Sequence, residues 1–175
     1  MYKYLLAIPL IIFPYWLLFL LYCLLTGTLM EEVFLNNGFL LIGALVVGGL
    51  VAFICTVILC VVALAKNQES LSMARLNMII KLVHVPAYIA IFVLSLAFSL
   101  TVFGIGFVIV FILSDAFCIL MSGLVGAVSA ILARRQQAGL SDWIAYAILQ
   151  FIYCVDVVTC VMMYCKIRKH SKSEV

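Results

Sequence analysis

Residues 69–94 read ESLSMARLNMIIKLVHVPAYIAIFVL, and the fold turns on whether they form one element or two. At about 100° per residue, Met73, Leu76, Ile79, Ile80 and Val83 share one apolar arc of a helix, while Arg75, Asn77, Lys81 and His84 fall on the other face. That pattern suits an amphipathic helix over about 70–84 lying on a membrane surface. Pro86 has no N–H for the Leu82 carbonyl and its ring crowds that carbonyl, but both problems vanish if a new helix begins just before it. The stretch therefore predicts a surface helix, a turn near His84, and a membrane span over about 82–103. On this reading His84 is an interfacial residue in contact with water, because no cysteine or carboxylate stands near it to define a site. A proton or ligand role is the alternative for it.

The sequence on either side fixes the class. Hydrophobic residues make up 69% of the 175 and charged ones only 10%, at a mean hydropathy of +1.37, which excludes a soluble domain with a polar exterior. Tyr4 to Met30 and Phe39 to Ala65 carry no charge, and roughly 20 residues already cross a bilayer as a helix. About five such stretches are present, near 5–29, 39–65, 82–103, 106–132 and 143–165, with ends good to roughly 2 to 4 residues. None alternates apolar and polar residues as a transmembrane strand does. The expected fold is all-α: a polytopic transmembrane helical bundle forming one membrane domain over residues 1–175. The first stretch reads as a retained span rather than a signal peptide, being too long for a signal core and lacking a small-x-small site in TGTLMEE. Pro9 and Pro14 inside it predict a bend.

Orientation is divided. With the N-terminus in the cytoplasm, Lys3, Lys66, Arg75, Lys81, Arg134 and Arg135 lie inside and Glu31 and Glu32 outside, as the bias of lysine and arginine toward the cytoplasm requires. An odd number of spans then sends Lys166, Arg168, Lys169 and Lys172 outside. Only the stretch from Trp143 to Cys165 separates Arg134 and Arg135 from that tail, so either one basic cluster lies outside or the last segment does not cross fully. The majority favours a tail outside.

The connections read as punctuation. Gly104 and Gly106 suggest a tight hairpin through glycine's access to left-handed angles, and they lack the third glycine and the strand of a phosphate-binding loop. Gly139 marks a helix end, Ser141 a helix cap with Asp142 in the first turn, and Trp143 an interfacial anchor. Small residues recur four apart at Ala44, Gly48 and Ala52 and at Ser122, Gly126 and Ala130, a spacing that serves close helix packing within the bundle in preference to a dimer.

Two acids lie inside apolar stretches, Asp115 in FILSDAFCIL and Asp156 in FIYCVDVVTC, and an acid at such a depth is a site hypothesis by default. At 1.5 Å per residue they lie about 15 and 14 Å from the same membrane face, so neighbouring spans could bring them together to share a proton or hold a cation, with Gln150, Ser114 and Thr159 in support. Neither stretch shows a basic partner. The packing alternative has each acid bound to hydroxyl or backbone groups. Seven cysteines form no thiol-redox or zinc spacing and read as small buried residues, a Cys23 to Cys165 disulfide being conceivable. No enzyme motif, cofactor site or metal site is expected.

The segments MARLNMIIKLVHVPAYIAIFVLSL, MSGLVGAVSAILARR and ILQFIYCVDVV together resemble a bacterial family of small polytopic membrane proteins of unknown function, over roughly residues 73–165. The resemblance implies that His84, Pro86 and Asp156 belong to a common core and that the first two spans vary more. The expectation is a multi-pass protein of the cell membrane whose partners are the bilayer and either another membrane protein or a second copy, and not nucleic acid. A non-catalytic subunit or helper ranks ahead of a small transporter that handles ions or protons through Asp115 and Asp156.

Overall fold

The computed structural model describes residues 2–101, 104–138 and 140–173. They form helices α1 (Tyr2–Thr26), α2 (Thr28–Phe34), α3 (Gly38–Ala65), α4 (Ser70–Ser99), α5 (Ile105–Arg135), α6 (Trp143–Leu149) and α7 (Val155–Ser173), with no strand among the described residues. The chain is the helical bundle of a membrane protein. Four helices, α1, α3, α4 and α5, are long and apolar enough to cross a bilayer. Their shared core joins Leu10 and Phe13 of α1, Ala52 and Leu59 of α3, Met73 and Ile80 of α4, and Met121 and Val125 of α5.

The opening stretch forms one element. Residues 70–84 and the span that follows are a single helix with Pro86 inside it, so the expected turn near His84 is absent. Of the expected polar face, Arg75 is exposed, but the other three residues meet protein instead of water. Asn77, Lys81 and His84 are fully buried, and with Tyr88 they form a stripe at spacings of four, three and four along one side of α4. The first turn of α4 has no cap of its own, and Gln136 supplies one from beyond α5: its side chain accepts from Ser70 N at 2.8 Å and donates to the Gln68 carbonyl at 2.6 Å.

The small-residue positions pack within the bundle, as expected. A Cβ on Gly48 would lie 2.9 Å from the Trp16 ring, whose indole N–H donates to the Ala44 carbonyl at 3.2 Å. At the turn between α4 and α5 the need for glycine is spatial, since Gly104 has a φ of −75° and a Cβ there would fall on the Phe98 carbonyl. Ser141 is no helix cap; Asp142 takes that position without a side-chain cap bond, and Gly139 lies outside the described residues. Cys23 lies near the α2 end of the bundle and Cys165 near the opposite end, and all seven cysteines are free.

The largest departure from expectation is the last apolar stretch. In place of a fifth span, residues 143–173 form two helices separated at Gln150 to Cys154, where Cys154 turns left-handed at a φ of 64°. Helix α6, about 10 Å long, starts beside the end of α5, and α7 returns along it. Lys166 of α7 lies 3.8 Å from Asp142 and over the Tyr146 ring, while Met163 and Ile167 pack with Ala74 of α4 and with Ala133 and Leu140. The hairpin therefore enters and leaves at one end of the bundle. Lys3 hydrogen-bonds Ser72, and Arg135 donates to the Leu64 carbonyl at 3.4 Å, so the start of α1, the α3 to α4 connection and the end of α5 share that same end. Glu31 and Glu32 on α2 lie at the other. Because α7 turns back to the end where α6 begins, the two basic clusters that conflicted in the linear count stand together.

This arrangement predicts a shared side for the α3 to α4 connection and the tail. In a cysteine-free background, Gln68→Cys and Ser171→Cys should react with an impermeant maleimide from one side of sealed vesicles, and Asn36→Cys from the other. Labelling of Ser171→Cys together with Asn36→Cys would mean that α7 crosses after all.

Candidate functional site

A helix break inside a bundle exposes backbone groups that lipid cannot serve, so each must find a partner in the protein. At the hairpin tip the N–H groups are met locally: Phe151 N donates to Ile148 O at 3.1 Å, Ile152 N to Leu149 O at 3.4 Å, Val155 N to Tyr153 O at 2.8 Å and Asp156 N to Ile152 O at 2.9 Å. The carbonyl at the end of α6 is met from α4. Lys81 Nζ donates to Gln150 O at 3.1 Å and to Asp156 Oδ2 at 2.6 Å, with both side chains of that ion pair buried. The other Asp156 oxygen accepts from Val157 N at 2.8 Å, and the carboxylate sits in the first turn of α7, where the helix dipole favours negative charge. One lysine thus contacts the C-terminal carbonyl of one half-helix and the acid that opens the next.

Gln150 is fully buried and fits only because α5 is thin beneath it. A Cβ on Gly126 would collide with the Gln150 side chain, and one on Gly123 with the Phe151 ring. The Gln150 amide oxygen accepts from Asn77 Nδ2 at 3.2 Å, which leaves Asn77 Oδ1 and Gln150 Nε2 buried without protein partners. Gly123 and Gly126 of α5 are therefore the seat of the hairpin tip, and of the expected small-residue stripe Gly126 belongs to it.

His84 lies one turn along from Lys81. Its Nε2 is 3.1 Å from the Leu10 carbonyl and its Nδ1 is 3.3 Å from the Tyr88 hydroxyl. A carbonyl only accepts, so Nε2 carries a proton. Leu10 is the residue whose carbonyl Pro14, four residues on and lacking an N–H, cannot serve. His84 supplies the donor that Pro14 removes from α1. Near Pro86, the Tyr15 hydroxyl donates to the Val83 carbonyl and ties the two proline-bearing helices together. The expected water-boundary position for His84 is corrected by this burial.

Asp115 and Asp156 do not form the expected pair, because Asp156 is bound to Lys81 and no hydrogen bond between the two carboxyls occurs among the described residues. Asp115 lies beside the Tyr153 hydroxyl, with its Oδ1 buried and without a partner. Tyr153 and Phe92 line the groove of about 450 Å³ that contains Asp156, and also the neighbouring groove of about 400 Å³ that contains Asp115. Of the expected supporting groups, Gln150 joins the site. Ser114 instead lines a recess with Phe13 and Phe117, and the Thr159 hydroxyl donates to Val155 O at 2.7 Å within α7. Lys81, Asn77 and Tyr153 were not anticipated as members. The spacing of Asn77, Lys81 and His84 on one face was the available signal. No family model, curated protein or solved structure matches the chain.

Removing one member of a buried ion pair leaves the other charge uncompensated, whereas removing both does not. Lys81→Met and Asp156→Asn should each lower stability by about 3 kcal/mol in mixed-micelle unfolding, and the double variant should lose at least about 1.5 kcal/mol less than the sum. Additive losses would show that the pair contributes no coupling.

The histidine has its own test. His84→Leu should cost about 1 to 3 kcal/mol by orphaning the Leu10 carbonyl. In a Pro14→Ala background, where the substituted alanine can supply the missing N–H, the same change should cost measurably less. An equal cost in both backgrounds would remove the link between the histidine and the proline.

Proposed function

We propose that this chain is a non-catalytic integral membrane subunit or helper of the cell membrane, with its N-terminus and its tail in the cytoplasm. The single observation behind this reading is the use of the intramembrane charges: Lys81 and Asp156 neutralise each other while holding the hairpin tip, a structural employment that leaves neither free for a substrate. The connections between helices are short, which gives no room for a soluble catalytic or ligand-binding domain among the described residues. The cytoplasmic assignment rests on the gathering of Lys3, Lys66, Arg134, Arg135 and Lys166 at one end, away from Glu31 and Glu32, together with the positive-inside bias. That end can meet anionic lipid or a partner's acidic segment.

Membership of the small bacterial membrane family that residues 73–165 resemble belongs to the same proposal.

A second reading, ion or proton handling, is favoured by one specific feature, the unpartnered Oδ1 of Asp115. Liposome assays separate the two. Purified protein in sealed vesicles carrying proton, sodium or potassium gradients should show no flux above empty vesicles, and Asp115→Asn should not change that result. A gradient-driven flux that Asp115→Asn abolishes would replace the helper role with transport.

A further inference from the structure

We propose that the groove between α4, α5 and the hairpin tip binds a membrane-dissolved organic cation, an ammonium or phosphonium centre on an apolar body, with Asp115 as its counter-ion. The groove encloses about 400 Å³ and includes Phe92, Ile112, Asp115 and Tyr153, a volume within the usual range for small-molecule sites. Phe92 is 58% exposed and Tyr153 43%, so in a bilayer the groove opens sideways to lipid. Asp115 stands about 15 Å along α5 from Ile105. One of its oxygens is sealed without a donor, and none of the salt bridges among the described residues includes it.

The neighbouring groove supplies the contrast. Asp156 also faces an apolar, lipid-open recess, but Lys81 already neutralises it, and an incoming cation would gain nothing there. Asp115 has no such resident partner. Lys3, Arg135 and Lys166 stand at the end where the hairpin enters, and no salt bridge among the described residues reaches Asp115. An inorganic ion is poorly served, because no group of three metal-binding side chains exists among the described residues and, apart from the Tyr153 hydroxyl and the Ser95 hydroxyl, which is spent on the Ile91 carbonyl at 2.8 Å, the remaining walls are hydrocarbon and rings. Those walls suit a cation that carries little hydration: ring faces attract it, apolar side chains take its body, and the carboxylate fixes its charge. The binding goes beyond the helper role and does not rest on it.

The experiment uses the full chain in nanodiscs of zwitterionic lipid, with labelled dodecyltrimethylammonium as probe and empty nanodiscs subtracted. Saturable binding of about one probe per chain is expected, with tetraphenylphosphonium competing and 1-dodecanol not competing. Asp115→Asn should weaken binding by at least about tenfold with unchanged thermal unfolding, and Asp115→Glu should retain it within about threefold. Phe92→Ser, which keeps the carboxylate and removes a ring, should weaken binding several-fold, so the proposal remains open to refutation even if Asp115→Asn fails to fold. It is overturned by the absence of saturable binding, by equal competition from dodecanol, or by wild-type binding in Phe92→Ser. It also falls if folded Asp115→Asn binds like wild type. If the probe does not bind and Asp115→Asn instead dissociates a dimer, a helix of a second copy fills the groove and the proposal falls as well.

Discussion

The ion pair between Lys81 and Asp156 is the constraint around which the rest of the bundle is arranged. A single charge in a hydrocarbon interior is unfavourable by several kcal/mol, and two opposite charges at 2.6 Å with further hydrogen bonds remove most of that cost. To bring Asp156 to Lys81, the chain must stop α6 after seven residues, reverse over Gln150 to Cys154, and start α7 with its acid in the first turn. The reversal needs a receptacle, which Gly123 and Gly126 of α5 provide, and a donor for its loose carbonyl, which Lys81 provides. Changing the lysine therefore disturbs α4, α6 and α7 together.

The other polar side chains of the bundle follow the same logic of serving backbone groups that lipid cannot. His84 answers the carbonyl freed by Pro14, Tyr15 reaches α4 beside Pro86, and Gln136 closes the first turn of α4. The carbonyl that Pro14 leaves without a backbone donor is thus served from another helix of the chain. Against this background Asp115 stands apart, since its carboxyl has no structural task comparable to that of Asp156. The two acids look alike in sequence and differ in what surrounds them.

Much of the architecture was readable from composition and spacing. The lengths of the charge-free runs matched α1 and α3 closely, and the helical wheel placed Asn77, Lys81 and His84, which α4 buries, on one face with Arg75, which it exposes. What that face meets was not readable, because the partner of Lys81 lies 75 residues away and a polar stripe faces water or a buried acid with the same periodicity. Apolar length also cannot distinguish a segment that crosses from one that turns back. The conflict between the basic residues before Trp143 and those after Cys165 did carry that information, and the hairpin removes it by giving both clusters one end. Gly104 adds a smaller lesson: a glycine at a turn signals either an angle or a lack of room, and here the Phe98 carbonyl makes it the second.

The order of synthesis gives the hairpin another meaning. Lys81 leaves the ribosome 75 residues before Asp156, so α4 is made complete while its buried charge has no mate. During that interval the lysine is best kept at the lipid surface, where the first turns of α4 can lie flat with their polar stripe wetted. The amphipathic pattern of residues 70–84, unused as a surface helix in the finished bundle, suits the nascent chain. A chain that ends before Asp156 holds Lys81 without the carboxylate that neutralises it, so the bundle is electrically complete only once the final apolar stretch has been made.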